Sequence, residues 1–325
     1  MPEATRTTKR IHFPLKAMTN TYSPAHELFD AEATVPAAVP RVRYPSPPAG
    51  IRWLRLQLKV LSAVAPGLAY RLAWKLFVTP RRLPLKDWEA PALAGARRRT
   101  VAHDTGSVAV YEWGPATGPA VVLVHGWEHR TSFWWAWVQP LVAAGYRVVA
   151  LDGPAHGASG GKQVTLIGYG GAVQAVVNTV GEVRAIVAHS FGGASVAGLP
   201  VRLPNGEPLP RLVLLSAPEG PRAVAGRFAD FLYLSNDFVE WFASHVQKAT
   251  GRSADSFAAA ATGPTMGAEK VLVLHDEDDE IIPIVEGRQI AAAWPGAVLH
   301  ATRGLGHNRI LRDAGVVQTA LAFIV

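Results

Sequence analysis

The chain of 325 residues is 49% hydrophobic and 18% charged, enough apolar material for a large buried core in one large or two smaller domains. It has no cysteine, which excludes disulfides, thiolate metal sites and a cysteine nucleophile. No run of about 18 uncharged apolar residues is present, so no membrane-spanning helix is expected. The net charge of +7 is uneven: residues 1–100 carry 17 Lys and Arg against 6 Asp and Glu, and the remainder 15 against 19. Nucleic-acid binding by residues 101–325 is therefore not expected, whereas an anionic membrane or other polyanion could be drawn to the basic N-terminal third.

Residues 1–50 are rich in Pro, Thr and Ala and read as an extended or disordered leader, without the apolar segment of a secretory signal. A cytoplasmic location is the expectation. Residues 51–64 place Ile51, Leu54, Leu58 and Leu61 on one helical face. Pro66-Gly67 breaks that pattern, and a second helix is predicted over Leu68–Val78 with Leu72, Leu76 and Phe77 apolar. This helical segment, 51–97, should dock its Leu stripe on the following domain or, through the basic residues of 51–82, touch an anionic membrane.

From residue 98 the period changes. A hairpin is predicted around Asp104–Ser107, then strands alternate with helices: strand 120–124, helix 132–144, strand 147–151, helix 165–180, strand 183–188, helix 191–199, strand 211–215. After an excursion over 217–269 come strand 271–274, helix 285–294, strand 297–301 and helix 309–323. Continuous apolar strands separated by helices predict a mostly parallel sheet covered by helices on both faces. The excursion is too long for a loop and is rich in aromatics.

Four motifs stand after four of these strands. Ala188-His189-Ser190-Phe191-Gly192 sets a serine between small residues at a strand-to-helix corner, the pattern of a nucleophile elbow. His125-Gly126-Trp127 follows strand 120–124. An acidic run, His275-Asp276-Glu277-Asp278-Asp279-Glu280, follows strand 271–274, and Gly304-Leu305-Gly306-His307 follows strand 297–301. A serine is a weak nucleophile until a base takes its proton, and the base needs an acid to fix its tautomer. Within the acidic run, Asp276, Asp278 and Asp279 are all candidates for that acid. His307, in a glycine-flanked loop, is a better base than His300, which falls within a strand. The oxyanion donors should be the backbone N–H groups of Phe191 and Trp127.

In these motifs and their order, Ser then Asp then His, residues 98–325 resemble the α/β-hydrolase superfamily, in particular its small bacterial serine esterases. The resemblance implies an α/β-hydrolase fold with a helical cap over 217–269 and a serine hydrolase acting on a small-molecule carboxylic ester without a cofactor or metal. It favours Asp279 as the acid, four residues before Pro283. It also leaves thioesterase, lactonase, perhydrolase, acyltransferase and a non-catalytic ligand-binding homologue as alternatives on the same scaffold. Dehalogenase and epoxide hydrolase relatives carry Asp where Ser190 stands. The loop Asp152–Ser159 is expected to brace the elbow through Asp152 and His156, and His125 to be structural. A zinc site at His125, His129 and His156 fits no standard spacing. Of Phe133, Trp134, Trp135 and Trp137, most should be core, with one or two as an acyl wall.

Overall fold

The computed structural model describes residues 49–325 apart from 88, 105, 236 and 267, so the expected leader lies almost wholly outside the described residues. The described chain opens with helices α1 (Ala49–Val64) and α2 (Pro66–Phe77). A short helix, α3 (Glu89–Ala92), leads to the antiparallel hairpin of β1 (Arg97–His103) and β2 (Gly106–Trp113), closed at His103 opposite Gly106. Alternation follows: β3 (Ala120–Val124), α4 (Trp135–Ala143), β4 (Arg147–Leu151), α5 (Leu166–Val177), β5 (Val183–His189), α6 (Ser190–Gly198) and β6 (Arg211–Leu215). Helices α7 (Pro221–Leu232), α8 (Asp237–Thr250) and α9 (Ala259–Met266) then intervene before β7 (Lys270–Asp276), α10 (Ile284–Ala293), β8 (Ala297–Thr302), α11 (Gly306–Arg309) and α12 (Ala314–Ile324).

The strands form one sheet in the order β1-β2-β4-β3-β5-β6-β7-β8, antiparallel at the β1-β2-β4 edge and parallel from β4 to β8. All five residues of β3 are buried because both faces of the sheet are covered. Val122, Ile186 and Ala188 pack on one face with Tyr169 and Val173 of α5. Val121, Leu123 and Val187 pack on the other with Trp137 and Leu141 of α4 and Ala320 of α12. Strand order reverses between β3 and β5, so a crevice opens at their C-terminal ends, where such sheets bind ligands.

The excursion divides. Helices α7 and α8 pack on each other and form a cap, whereas α9 returns to the body against α6 and α10. The Trp294 indole N–H fixes its start by donating to the Ala259 carbonyl at 2.6 Å. The α1–α2 hairpin lies on the cap: Leu58, Tyr70 and Ala73 share a buried cluster with Leu232, Phe238 and Phe242. Arg55 is sandwiched against the Phe231 and Tyr233 rings at 4.7 and 4.4 Å.

Three sequence expectations change. Leu72 and Leu76 are not on the packed face of α2 but 40% and 38% exposed. The packed face is that of Ala69, Tyr70, Ala73 and Trp74, roughly a third of a turn away. The predicted helix 132–144 opens as a 3₁₀ turn over Thr131–Trp134. The predicted helix 309–323 breaks at Asp313, whose carboxylate leaves the helix path to cap α12 by accepting from the Val316 N–H at 3.0 Å.

Candidate active site

Strand β5 ends at His189 and α6 begins at Ser190, whose φ of +51° lies in the left-handed region. For a residue with a Cβ that conformation costs about 1–2 kcal/mol, so packing on both sides must hold it. Ala188 is fully buried, and a Cβ at Gly192 would lie 2.4 Å from the His125 carbonyl oxygen. Those contacts are the physical reason for small residues on either side of the serine. The corner lifts the Ser190 hydroxyl off the sheet edge, toward His307.

His307 Nε2 accepts from the Ser190 hydroxyl at 2.9 Å, and its Nδ1–H donates to Asp279 Oδ2 at 2.8 Å. This pattern assigns the Nδ1–H tautomer. The other carboxylate oxygen of Asp279 accepts from the Ile281 and Ile282 N–H groups at 2.9 and 2.8 Å. Burial pushes the Asp279 carboxyl up, but its hydrogen bond to His307 and that residue's charge pull it net below the ordinary carboxylate value. His307 stands not in a loop but in the first turn of α11, after Gly304 and Gly306 at φ +81° and +63°.

The other acids of the run do different work. Asp276 is fully buried and accepts from the N–H groups of Asp278, Gly306 and Leu305 at 3.0, 2.8 and 3.1 Å and from the Thr302 hydroxyl at 2.7 Å. It ties the loop after β7 to the turn that leads into His307. Asp278 accepts from the Gly304 N–H at 2.8 Å. Neither carboxylate bonds the His307 ring. His300 lies exposed on β8.

Gly126 and Trp127 run directly over Ser190. A Cβ at Gly126 would stand 3.0 Å from the Ser190 Cβ, and the Trp127 and Phe191 rings meet edge-on at 5.1 Å. The backbone here is braced from below. His125 Nε2 accepts from the Gly153 N–H at 2.9 Å, and its Nδ1–H donates to the Gly126 carbonyl at 2.7 Å. Asp152 accepts from the Thr131 and Ala158 N–H groups, each at 2.8 Å, and the His156 Nδ1–H donates to the Pro154 carbonyl at 2.9 Å. Among the described residues no three His, Cys, Asp or Glu side chains are grouped to hold a metal ion.

Two histidines take places here that the sequence reading did not assign them. His189, fully buried, donates from Nε2 to the His307 carbonyl at 3.0 Å and so positions the backbone of His307. His129 stacks on His189 at 5.5 Å and on Phe133 at 4.0 Å. Burial holds His189 well below the ordinary histidine value and His129 down to about 3, both further lowered by the charge of His307. His189 fills the variable position of the elbow motif, which carries no signal of its own.

A cavity of about 260 Å³ lies under the cap, and Phe191, the neighbour of Ser190, lines it. Opposite stand Trp74 and Phe77 of α2 and Phe242 of α8. None of the four aromatics at 133–137 lines it. Trp134 and Trp137 are fully buried beneath the sheet, where the Trp137 indole donates to the Leu311 carbonyl at 2.8 Å, and Trp135 is 48% exposed.

The mostly parallel eight-stranded sheet, its strand-to-helix corner at a serine and its helical excursion before β7 make this an α/β-hydrolase fold. Residues 121–319 match the alpha/beta hydrolase family, and the chain belongs to it. It is 29% identical over 262 residues to a bifunctional esterase/perhydrolase of Acinetobacter calcoaceticus, covering 66% of this chain and 94% of that protein. It is 27% identical over 266 residues to a non-heme chloroperoxidase of Burkholderia pyrrocinia, with the same coverage of 66% and 94%. The crystal structure of a bacterial membrane phospholipase A shares the fold, with a TM-score of 0.54 at 19% identity over 84% of this chain and 97% of that one.

Proposed function

We propose that this protein is a serine hydrolase that cleaves carboxylic esters through an acyl-enzyme. The observation that carries the reading is the continuous line from Ser190 through His307 to Asp279, with bonds of 2.9 and 2.8 Å. Relatives that include an esterase/perhydrolase support the ester as substrate. In the first half-reaction His307 Nε2 takes the Ser190 proton as Oγ attacks the ester carbonyl carbon. The backbone N–H groups of Trp127 and Phe191 receive the developing oxyanion. Asp279 holds the His307 ring and stabilises its cationic form. His307 then gives the proton to the departing alkoxide, and the alcohol leaves the acyl group on Ser190. Water, deprotonated by the same histidine, releases the acid and restores the serine. A panel of p-nitrophenyl esters from acetyl to palmitoyl, run with wild type and Ser190→Ala, tests this. The wild type should label with a fluorophosphonate and turn over esters, and the variant should do neither.

A perhydrolase reading has its own support in the name of the Acinetobacter relative, a bifunctional esterase/perhydrolase. There hydrogen peroxide replaces water at the acyl-enzyme, its proton goes to His307, and the product is a peroxyacid with Ser190 restored. Peroxyacid formation from an ester and hydrogen peroxide, lost in Ser190→Ala, tests it.

A further inference from the structure

We propose that α2 is a wall of the acyl-binding site and that the preferred substrates are esters of medium-chain fatty acids, a proposal that rests on the ester-hydrolase reading. The family match begins at residue 121, so α2 lies outside it. Yet Trp74 and Phe77 line the cavity that reaches Phe191, together with Val224 of α7 and Phe242 of α8. Among the described residues no charged side chain lines this cavity. Its occupant is therefore an uncharged apolar group joined to a carbonyl held beside Ser190. At about 30 Å³ for a group the size of a water, 260 Å³ holds a chain of roughly eight or nine methylenes. Each methylene taken from water there should raise kcat/KM about fourfold until the cavity is full.

The test compares p-nitrophenyl acetate, octanoate and palmitate, with rates taken per serine titrated by fluorophosphonate. Wild type should favour octanoate over both. Val224→Trp fills the cavity from the cap side and should lower the octanoate-to-acetate ratio of kcat/KM at least tenfold. Trp74→Leu enlarges it from the α2 side and should move the best chain to a longer acid. A ratio unmoved by either variant, or a wild type indifferent to chain length, overturns the proposal while leaving the hydrolase reading intact. Activity that survives Ser190→Ala overturns the hydrolase reading instead.

A separate observation carries a second inference. The outward face of the same hairpin is apolar: Trp53, Leu56, Val60 and Val64 on α1 are 51–75% exposed, and Leu68, Leu72 and Leu76 on α2 are 38–58% exposed. At helical spacing these form one stripe on each helix, flanked by exposed Arg52, Lys59, Arg71 and Lys75. No Asp or Glu occurs between Glu32 and Asp87. An apolar stripe on a hairpin whose own charged side chains are all positive is complementary to a bilayer with anionic headgroups. We infer that this face docks the protein on an anionic phospholipid surface.

Sedimentation of the full chain with phosphatidylcholine vesicles containing a quarter phosphatidylglycerol tests the inference. Wild type should pellet with them, and less with pure phosphatidylcholine or in high salt. The variant Trp53→Ser, Leu56→Ser, Val60→Ser and Leu72→Ser should stay in the supernatant with an unchanged melting temperature, because those side chains are exposed. Wild type left in the supernatant, or the variant still pelleting, overturns the inference. So does a variant that only converts a dimer to a monomer, which would make a second copy of the chain the occupant.

Discussion

Replacing the acids of the β7 loop one at a time should separate catalysis from scaffolding. In Asp279→Asn the side-chain oxygen can still accept from the Ile281 and Ile282 N–H groups, so the loop keeps its bonds. The amide N–H₂ then faces His307 Nδ1, 2.8 Å away in the wild type, and forces that nitrogen to be an acceptor. The ring proton moves to Nε2, which can no longer take the Ser190 proton at 2.9 Å. A wrong tautomer in a serine triad costs about 10⁴-fold in kcat, or roughly 5 kcal/mol of transition-state stabilisation. Asp276→Asn should do the reverse. Its two oxygens accept from four donors, and an amide turns at least one oxygen into a donor facing donors. Each buried group left unpaired costs about 1–3 kcal/mol. For a domain of this size that is a fall of roughly 2–6 °C in melting temperature. Ester turnover and a thermal melt, measured on both variants, read the two effects. If Asp276→Asn or Asp278→Asn is folded and loses more kcat than Asp279→Asn, the assignment of the acid is wrong.

Four further outcomes are expected. Ser190→Ala should fold normally and lose at least about 10³-fold in kcat on activated esters, read by turnover and circular dichroism. Gly192→Ala should lower both melting temperature and kcat, because its Cβ would meet the His125 carbonyl oxygen at 2.4 Å and displace the backbone leading to Trp127. Leu58→Ala, truncating a fully buried side chain between hairpin and cap, should cost about 2–5 kcal/mol in denaturant unfolding. Stability should also fall in acid. His129 drops from 6.5 unfolded to about 3 folded, chiefly by burial, so the unfolded chain binds the extra proton between those values. The contribution is complete above pH 6.5, is reduced by roughly 2 kcal/mol at pH 5, and is lost as pH falls through 3. A His129→Leu variant should show a flatter acid limb in urea melts across pH 4–8.

The parallel sheet was legible because each strand is an apolar run short enough to be a strand and bounded by its own helix. The elbow was legible for a local reason: the sharp corner at Ser190 needs small neighbours, so geometry is written into five consecutive residues. The acid was not. Asp276, Asp278 and Asp279 differ only in where three closely spaced carboxylates point, and that depends on the loop before His307, nearly 30 residues away. His189 was invisible because its partner is a backbone carbonyl, which leaves no mark on side-chain identity.

The hairpin shows the same limit at larger scale. Periodicity marks a stripe as apolar but does not say which apolar stripe is covered. Helix α1 carries two, one holding Leu54, Leu58 and Leu61 and one holding Trp53, Leu56, Val60 and Val64. The first is selected by residues more than 160 positions away: Tyr70 meets the Ser235 hydroxyl at 2.7 Å, and Arg55 reaches the Tyr233 hydroxyl at 3.2 Å. Once that face is taken, the aromatic side of α2 must turn toward the cap and the leucines outward. The acyl-wall proposal and the exposed apolar face therefore have one origin. The cap fixes the roll of the hairpin, which places Trp74 and Phe77 over the cavity while Leu72 and Leu76 remain in contact with solvent.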